Sequence, residues 1–420
     1  MEQKNDIYLH VEHICRAAKA ASRTYGSTDT AEKNALLRAM ADQLMADVDD
    51  ILAANAADLA AAEENGVPKA MLDRLKLDAR RLSGICDALR EVAALPDPIG
   101  SGDCTVRPNG LQIRHVRAPL GCVAIIYEAR PNVTVDAAAL CLKTGNAVVL
   151  RGGKEAVHSG TALVASMKKA LSANGFNPDL IGFISMTDRA GANALMGMRP
   201  YVDVLMPRGG KSLIRAVVEN ARVPVIETGA GNCHLYVDDT ADLAMAVKVA
   251  VNAKCSRPSV CNAIETLLVH RAVAADFLPM MAEAMAEWKV EFRGDKAACA
   301  ILPKAVPATE ADWDTEYNDY ILAVKVVDGV DEAIEHITRY TTGHSEAIVT
   351  RSIEHADAFR ARVDAAAVYV NASTRFTDGG EFGFGAEIGI STQKLHARGP
   401  MGLMALTTDK YLIDGNGQVR

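Results

Sequence analysis

Apolar and polar positions follow two different patterns along the chain. From residue 7 to about residue 95, apolar side chains recur at helical spacing, as in ALLRAMADQLMADVDDILAANAADLAAAEE, until Gly66-Val67-Pro68 interrupts the pattern. This spacing predicts a series of helices. In TVRPNGLQIRHVR, residues 105–117, two partly alternating segments flank Asn109-Gly110. That arrangement predicts a β-hairpin, which would gain stability by pairing with a further strand.

After Gly121, short apolar runs alternate with helical patterns. The strand-like runs are CVAIIY, NAVVL, LIGFI, VDVLM and VPVI, and the helical ones include AAALCLK, GTALVASMKKALSANG and KSLIRAVVENA. A second set of strand-like runs begins near His234 and comprises HLYVD, ETLLVH, ILAVKVV, AIVT and AAVYVN. Such alternation predicts parallel βαβ units with helices on both faces of each sheet. The sequence therefore predicts an α/β fold with two domains.

Length and charge narrow the class of protein. A chain of 420 residues exceeds what one hydrophobic core usually supports, which agrees with two or more domains. Its formal charge of −8 disfavours nucleic acid as a partner, because phosphate backbones attract basic surfaces. No apolar run is long enough to span a bilayer, and MEQKNDIYLHVEHICRAAKA lacks the apolar centre of a signal peptide. We expect a cytoplasmic enzyme or binding protein without a membrane partner.

Cysteine usage identifies a first candidate for chemistry. The nine cysteines are an odd number without a Cys-x-x-Cys pair, and no His, Cys, Asp and Glu set shows metal-ligand spacing, so we predict neither disulfides nor a metal site. Cys255 and Cys261 lie between the helix AMAVKVAVNAK and the strand ETLLVH, together with Lys254 and Arg257. Nearby cations favour the reactive thiolate. Either cysteine is a candidate nucleophile, and a buried structural thiol is the alternative for both.

Two turns between a strand and a helix combine glycines with cations. They are Arg151-Gly152-Gly153-Lys154 and Pro207-Arg208-Gly209-Gly210. Free backbone N–H groups and the helix dipole can hold phosphate at such turns. Neither turn matches the dinucleotide fingerprint or the P-loop, and glycine turns are common in this position without a ligand. Two cationic turns in one domain nevertheless indicate a nucleotide.

Several long segments, in the right order, resemble the γ-glutamyl phosphate reductases of the aldehyde dehydrogenase superfamily. They are IIYEARPNVTVDAAALCLKTGNAVVLRGG, VDVLMPRGGKSLI, RPSVCNAIETLLVH, VDGVDEAIEHITRYTTGHSEAI and GAEIGISTQKLHARGPMGL, and the resemblance extends along almost the whole chain. It implies an aldehyde dehydrogenase-like α/β fold and NADPH-dependent reduction of L-glutamate 5-phosphate to L-glutamate 5-semialdehyde and phosphate, in proline biosynthesis. It also implies a functional link to glutamate 5-kinase. The alternatives are a generic NAD(P)-dependent aldehyde dehydrogenase and a non-catalytic relative that retains the fold.

The resemblance also implies which parts of the chain form each domain. Residues 1–104 and 119–233, with part of 375–404, are expected to form the nucleotide-binding domain, and residues 234–374 the catalytic domain. Residues 105–118 and 405–420 are expected to form a hairpin and tail that join subunits into a homo-oligomer, a dimer or a tetramer. The cofactor and the thioester are expected to meet between the two α/β domains, the usual location for such a cleft.

The resemblance further implies particular roles for residues. Cys261, rather than Cys255, stands at the nucleophile position before the strand that contains TLLV. Asn132 is a candidate for stabilising the oxyanion, beside the backbone N–H of Cys261. For an anionic substrate the expected ligands are Arg130, Lys254, Arg257, Ser373, Thr374 and Arg375.

Cofactor residues are expected at the two glycine turns and at Glu316. The turn residues are Arg151, Gly152, Gly153, Lys154, Pro207, Arg208, Gly209 and Gly210, and Glu316 is expected to hold the nicotinamide ribose. Lys154 stands where NAD-using relatives often carry an acidic residue. A cation at this position attracts the 2′-phosphate that distinguishes NADPH from NADH, so the sequence favours NADPH.

Overall fold

The computed structural model describes residues 2–128 and 130–420. Within them the α-helices are α1 (Glu2–Tyr25), α2 (Thr30–Ala46), α3 (Val48–Glu64), α4 (Lys69–Leu75), α5 (Ala79–Ala94), α6 (Pro131–Lys143), α7 (Val157–Ala173), α8 (Arg189–Met196), α9 (Lys211–Asn220), α10 (Leu243–Cys255), α11 (Arg271–Ala284), α12 (Lys296–Ile301), α13 (Glu310–Trp313), α14 (Val330–Tyr340) and α15 (Ile353–Arg362). None of these helices, in the part of the chain described, is long and apolar enough to cross a membrane.

The β-strands of the same residues complete the element list. They are β1 (Gly102–Val106), β2 (Gln112–Pro119), β3 (Cys122–Tyr127), β4 (Ala147–Arg151), β5 (Ile181–Phe183), β6 (Val204–Arg208), β7 (Cys233–Val237), β8 (Ile264–His270), β9 (Glu291–Gly294), β10 (Val306–Pro307), β11 (Ile321–Val327), β12 (Ser345–Val349), β13 (Ala367–Val370), β14 (Ile390–Ser391), β15 (Gly399–Pro400) and β16 (Thr407–Asp414).

The chain divides into two compact units. The first unit runs to Glu227 and also includes Gly383–Gly389 and Met401–Arg420, and the second comprises Thr228–Phe382 and Ile390–Pro400. The division lies slightly before the boundary expected between residues 233 and 234. Residues 228–233 belong with the second unit because their backbone forms hydrogen bonds with residues of that unit. For example, the Gly229 N–H donates to the Ile390 carbonyl over 3.2 Å. The nucleotide and catalytic roles of the units remain predictions.

The first unit is built on a parallel sheet with strand order β5-β4-β3-β6. Its central strand β3 is buried along its whole length, as expected for a parallel strand covered on both faces. Because the strands run in the same direction, their carboxyl ends meet at one edge. That edge carries the two glycine turns, one directly after β4 and the other at the end of β6.

The predicted hairpin is present in the first unit. Strands β1 and β2 pair antiparallel, and Gly110 turns between them with φ of +90°. Strand β16 pairs antiparallel with β2 from Thr407 opposite Pro119 to Asp414 opposite Gln112. The C-terminal strand therefore converts a hairpin, marginal by itself, into a three-stranded sheet.

The second unit is built on a parallel sheet with strand order β10-β9-β11-β8-β7-β12-β13. Neighbouring residues of its strands enter different hydrophobic clusters: Leu267 of β8 packs into one and Leu268 into another. This follows from the alternation of side chains across a strand. Two cores thus hold β8 from both faces, and β8 directly follows the loop that contains Cys261.

One ion pair in the first unit is almost completely buried. The Lys33 ammonium lies 2.5 Å from the Asp97 carboxylate, and their side chains are 1% and 6% exposed. Asp97 also accepts hydrogen bonds from the Thr30 hydroxyl and the Ile99 backbone N–H. Lys33 therefore depends on Asp97 for charge compensation.

We expect Asp97→Asn to lower the free energy of unfolding by about 3 kcal/mol, because it leaves a buried ammonium without its counter-ion. Urea denaturation measures this loss. Asp42→Asn is the matched control, since its ion pair with Arg90 is 42% and 72% exposed. Exposed pairs contribute at most about 1 kcal/mol. Equal losses for both variants would contradict the role of the buried pair.

Candidate active site

The two candidate cysteines lie in different environments. Residues 256–263, named here the nucleophile loop, connect α10 to β8 and contain Cys261, which is partly exposed. Cys255, the last residue of α10, is 2% exposed. Burial raises the pKa of Cys255 to about 11, although Lys254 opposes this shift, so Cys255 is a thiol at neutral pH. Of the two, Cys261 is the one that a substrate can reach.

The Cys261 backbone is held by two close neighbours in the second unit. Its carbonyl accepts a hydrogen bond from the Cys233 thiol, with an Sγ to O distance of 3.1 Å. Burial raises the pKa of Cys233 well above its usual value, which keeps this thiol protonated and able to donate. On the other side, a Cβ on Gly231 would lie 1.7 Å from the same carbonyl oxygen. Only glycine fits at residue 231 with the loop in this position.

The segment that contains Ser373, Thr374 and Arg375 packs against the residue after the nucleophile. The Asn262 amide donates to the carbonyls of Arg375 (3.2 Å) and Thr377 (3.0 Å), and the Thr374 hydroxyl donates to the Asn262 carbonyl (2.6 Å). Thr374 is fully buried, and Ser373, also buried, accepts from the Arg375 N–H. In this arrangement Ser373 and Thr374 shape the loop, while Arg375 is partly exposed and directed to the site.

Two guanidinium groups create a positive environment near Cys261. The pKa of Arg375 is lowered by burial and by the charge of Arg257, while Asp378 and Cys261 oppose the shift. The Arg375 side chain also donates to the Ser256 hydroxyl over 3.1 Å and to the Asn262 side-chain oxygen. Arg257 is exposed. Positive charge at this position favours a Cys261 thiolate and an anionic substrate.

Lys254 does not belong to this group, which corrects its expected role as a substrate ligand. Its side chain is fully buried, and its ammonium lies 2.5 Å from the Glu265 carboxylate. The charge of Lys254 is therefore compensated inside the protein and is not offered to a substrate. The sequence showed a cation beside Cys255 but not its burial.

His344 is buried behind the nucleophile loop. Its Nδ1 lies 3.7 Å from the Cys233 sulfur and 2.8 Å from the Ser345 hydroxyl. Burial lowers the pKa of His344 to about 4, so the ring is neutral at pH 7. This arrangement makes His344 a supporting residue for Cys233 and not a base exposed to substrate.

Glu316 is connected to the same backbone as the nucleophile. One of its carboxylate oxygens accepts from the Gly231 N–H over 2.9 Å. Gly231 in turn contacts the Cys261 carbonyl. The expected cofactor ligand and the expected nucleophile are therefore linked through a single glycine.

The second unit also contains a cluster of possible metal-ligating residues whose polar atoms already form hydrogen bonds within the protein. Asp238, Asp239 and His355 bring possible metal-ligand atoms within 4.8 Å of one another. However, Asp238 accepts from the hydroxyls of Tyr236 and Thr350, and His355 lies 2.9 Å from it. These contacts define a hydrogen-bonded cluster, and we assign no metal to it.

One glycine turn of the first unit, residues 207–210, leads directly into α9. Pro207 is buried at the end of β6, Arg208 is partly exposed, and Gly209 and Gly210 are exposed immediately before the helix. The Gly210 N–H donates to the Glu128 carboxylate over 3.0 Å. Anions bind at helix N-termini, and here the Glu128 carboxylate of the protein itself occupies that position. No motif in the sequence identifies Glu128 as part of this turn, because it lies far from Gly210 along the chain.

The other turn follows β4. Arg151 donates to the carbonyls of Thr187 (3.3 Å) and Asp188 (3.4 Å), and burial lowers its pKa. Next to it, a Cβ on Gly152 would lie 3.3 Å from the Tyr127 ring. Gly153 is buried, and Lys154 is exposed. Lys154 is the residue of this turn whose charge is directed to solvent.

Two further predicted residues lie at the start of α6. Arg130 is exposed and is the residue before the helix. The Asn132 amide donates to the Asp136 carboxylate over 3.0 Å. Burial raises the pKa of Asp136 to about 6. The hydrogen bond from Asn132 and the charge of Arg208 oppose this rise. In the structure the Asn132 amide is therefore engaged within the first unit.

Comparison with known proteins agrees with this fold and arrangement. Residues 8–301 match the model of the aldehyde dehydrogenase family. A crystal structure of an acetylating aldehyde dehydrogenase from Geobacillus thermoglucosidasius superposes with a TM-score of 0.73 over 99% of both chains, although only 18% of residues are identical. The chain belongs to the aldehyde dehydrogenase family, which confirms the predicted α/β fold class.

More similar relatives place it within that family. The gamma-glutamyl phosphate reductase of Moorella thermoacetica is 58% identical over 99% of this chain and 100% of its own length. That of Enterococcus faecalis is 56% identical over 98% and 99%. The crystal structure of the Thermotoga maritima gamma-glutamyl phosphate reductase is 48% identical, with a TM-score of 0.96 over 98% and 99% of the two chains. The chain groups with these reductases, and the resemblance predicted from its sequence is confirmed.

We expect Gly231→Ala to slow alkylation of Cys261 by iodoacetamide at least tenfold. The added methyl group would overlap the Cys261 carbonyl, so the nucleophile loop must move. Mass spectrometry of the peptide containing Cys261 measures the rate. Gly329→Ala is the control, because no atom lies within 4 Å of a Cβ at that position in the same unit. An unchanged rate in Gly231→Ala would show that the contact does not hold the loop.

Proposed function

We propose that the chain reduces L-glutamate 5-phosphate to L-glutamate 5-semialdehyde with release of phosphate, a step of proline biosynthesis. The observation that carries this proposal is the partly exposed Cys261 beside Arg257 and Arg375. It occurs in a chain whose relatives, similar along their whole length, are gamma-glutamyl phosphate reductases. The substrate is therefore a small molecule that carries a phosphate and a carboxylate, and both groups complement cations.

Cys261 begins the proposed reaction. Its thiolate attacks the acyl carbon, a carbon–sulfur bond forms, and phosphate leaves with the electrons of the carbon–oxygen bond. Arg375 and Arg257 neutralise the anionic substrate as it approaches. The backbone N–H of Cys261 is the proposed donor that stabilises the oxyanion of the tetrahedral intermediate.

The protein residues then hold the thioester for reduction. A nicotinamide cofactor, when bound, would supply the hydride. Cys261 would hold the acyl group through this reduction and leave as the thiolate when the thiohemiacetal alkoxide collapses to the aldehyde. The backbone contacts of Cys261 with Cys233 and Gly231 keep the sulfur in one position through both steps. Pre-organisation of this kind lowers the entropic part of the barrier.

Residues of the first unit fit a nicotinamide dinucleotide. Exposed backbone at Gly209 and Gly210, before α9, suits a pyrophosphate. We propose that NADPH is preferred, because Lys154 is exposed in the turn after β4, where a cation attracts a 2′-phosphate. Glu316 is the proposed ligand of the nicotinamide ribose.

The alternative, a generic aldehyde dehydrogenase that oxidises an aldehyde to an acid, is not favoured. Relatives similar along the whole chain are reductases of an acyl phosphate by name. The two activities differ in the reverse direction, because only the acyl phosphate reductase requires inorganic phosphate to accept the acyl group.

We further propose that the three-stranded sheet β1-β2-β16 joins subunits into a dimer or a tetramer. Its two outer strands leave backbone groups unpaired in the described residues of one chain. Exposed apolar side chains lie on the same sheet, among them Val106, Tyr411 and Ile413. Pairing of this sheet with a second copy of the chain would cover both the unpaired backbone groups and the exposed apolar side chains.

We expect Cys261→Ala to lower phosphate-dependent oxidation of L-glutamate 5-semialdehyde about 10³-fold or more, because the variant lacks the nucleophile. Reduction of NADP, followed by absorbance, measures this reverse reaction with and without phosphate. Cys255→Ala is the control and should keep most activity, since Cys255 is buried. Retained turnover in Cys261→Ala would remove Cys261 from the mechanism.

We expect Lys154→Glu to raise the KM for NADPH at least about tenfold more than the KM for NADH, because a carboxylate repels the 2′-phosphate. Steady-state assays with both cofactors measure the two constants. Lys296→Glu, an exposed lysine in the second unit, makes the same change in net charge and controls for long-range effects. An equal effect of Lys154→Glu on both cofactors would refute the charge argument.

A further inference from the structure

The buried ion pair Lys254–Glu265 has no part in the proposed chemistry, yet it encloses the nucleophile loop. Lys254 lies in the last turn of α10 and is separated from the loop only by Cys255. Glu265 is the second residue of β8 and is separated from the loop only by Ile264. Their charged atoms are 2.5 Å apart, and their side chains are 0% and 1% exposed. The pair therefore fixes the separation between the two ends of the loop.

Glu265 makes a second contact on the opposite side. Its other carboxylate oxygen accepts from the Asn318 N–H over 3.1 Å, and Asn318 has φ of +56°, in the left-handed region. The preceding residue, Tyr317, has its ring 5.9 Å from the Lys254 ammonium and 5.1 Å from the Arg293 guanidinium. The segment Glu316–Asn318 is thus attached to the ion pair at two points.

These contacts form a closed circuit. From Glu265 they pass through Asn318 to Glu316, whose carboxylate accepts from the Gly231 N–H over 2.9 Å. Gly231 contacts the carbonyl of Cys261, which lies within the loop that Lys254 and Glu265 flank. A change at the ion pair can therefore reach both Glu316 and Cys261.

Stability alone does not account for such a pair. The loss of hydration of two buried charges usually exceeds or cancels their attraction, and apolar residues of similar volume often support a fold equally well. Burial lowers the pKa of Lys254 and raises that of Glu265, and the attraction between them opposes both shifts. What apolar residues would not supply is an acceptor for the Asn318 N–H.

We propose that Lys254 and Glu265 are positioning residues that set the Glu316 carboxylate and the Cys261 loop together, with the Glu265–Asn318 hydrogen bond as the connecting element. The inference deepens the proposed function and rests on it, because Glu316 as a cofactor ligand is part of that proposal. Neither residue touches substrate or cofactor.

Two double variants isolate the connecting hydrogen bond. Lys254→Met/Glu265→Gln removes both charges and keeps a side-chain oxygen that can accept from the Asn318 N–H. Lys254→Met/Glu265→Met removes both charges and the acceptor. Neither variant leaves an uncompensated buried charge, so both are expected to fold, and their thermal midpoints measure any difference in stability.

We expect the variant without the acceptor to bind NADPH at least tenfold more weakly than the variant that keeps it, in a fluorescence titration. Its Cys261 should also react with iodoacetamide at a rate changed at least threefold. The variant with the acceptor should stay within threefold of the unaltered protein in both measurements. Equal NADPH affinity and equal Cys261 reactivity in the two variants would overturn the proposal.

A measurement on the unaltered protein covers the case in which the variant without the acceptor does not fold. The Asn318 amide should exchange with deuterium as slowly as the amides of β8, because Glu265 holds it. Exchange at the rate of an open loop would also overturn the proposal.

These readouts separate the inference from the proposed function. Cys261 alkylation and amide exchange need neither substrate nor turnover. If the unaltered protein failed to reduce the acyl phosphate, the function would fail while the positioning contacts could still be measured. If the protein were active and both variants matched it, only the inference would fail.

Discussion

The candidate site depends on holding the backbone of a partly exposed residue, Cys261, in place. A reactive cysteine cannot be fixed by burying its own side chain, because the sulfur must stay reachable. Here the Cys261 carbonyl is fixed from behind by the Cys233 thiol and by the bare backbone of Gly231. Its neighbour Asn262 is fixed by the segment from Thr374 to Thr377. Buried hydrogen bonds of this kind support a functional group without covering it.

The charges around the loop have separate tasks. The sequence shows two cations beside Cys261, Lys254 and Arg257, and the family resemblance adds Arg375 as a third expected ligand. In the structure Lys254 is sealed in an ion pair, whereas Arg257 is exposed and Arg375 is partly exposed. A compact ammonium can be matched by one carboxylate in the interior, while guanidinium groups suit planar anions such as phosphate and carboxylate. Burial, which depends on tertiary packing, makes the distinction.

The fold was largely predictable because its strongest signals are local. The apolar runs that became β3 and β4 are uninterrupted, those that became β7 and β8 are mostly apolar, and the helical spacing before residue 95 is regular. The strand β9 was missed because its sequence, EFRG, is short and polar. The run VPVI was predicted as a strand and forms only one bridge, at Val225, because Pro224 cannot donate to a ladder.

The site was predictable only in part. A family resemblance can identify Cys261, but the close approach of Gly231, the acceptor role of Glu265 and the position of Glu128 are contacts between residues distant in sequence. Neither the composition of the chain nor the spacing of its residues can predict these contacts. Residues such as Thr374, expected to bind a ligand, instead use their polar atoms within the protein.

The contact between Glu128 and Gly210 has a consequence for how a dinucleotide would be received in the first unit. The helix end is not bare: it carries an anion supplied by the chain itself. A phosphate that arrives there exchanges one negative group for another, so only the difference between the two contacts contributes to affinity. Glu128 therefore competes with such a phosphate for the Gly210 N–H, which lowers the affinity for a dinucleotide and favours its release.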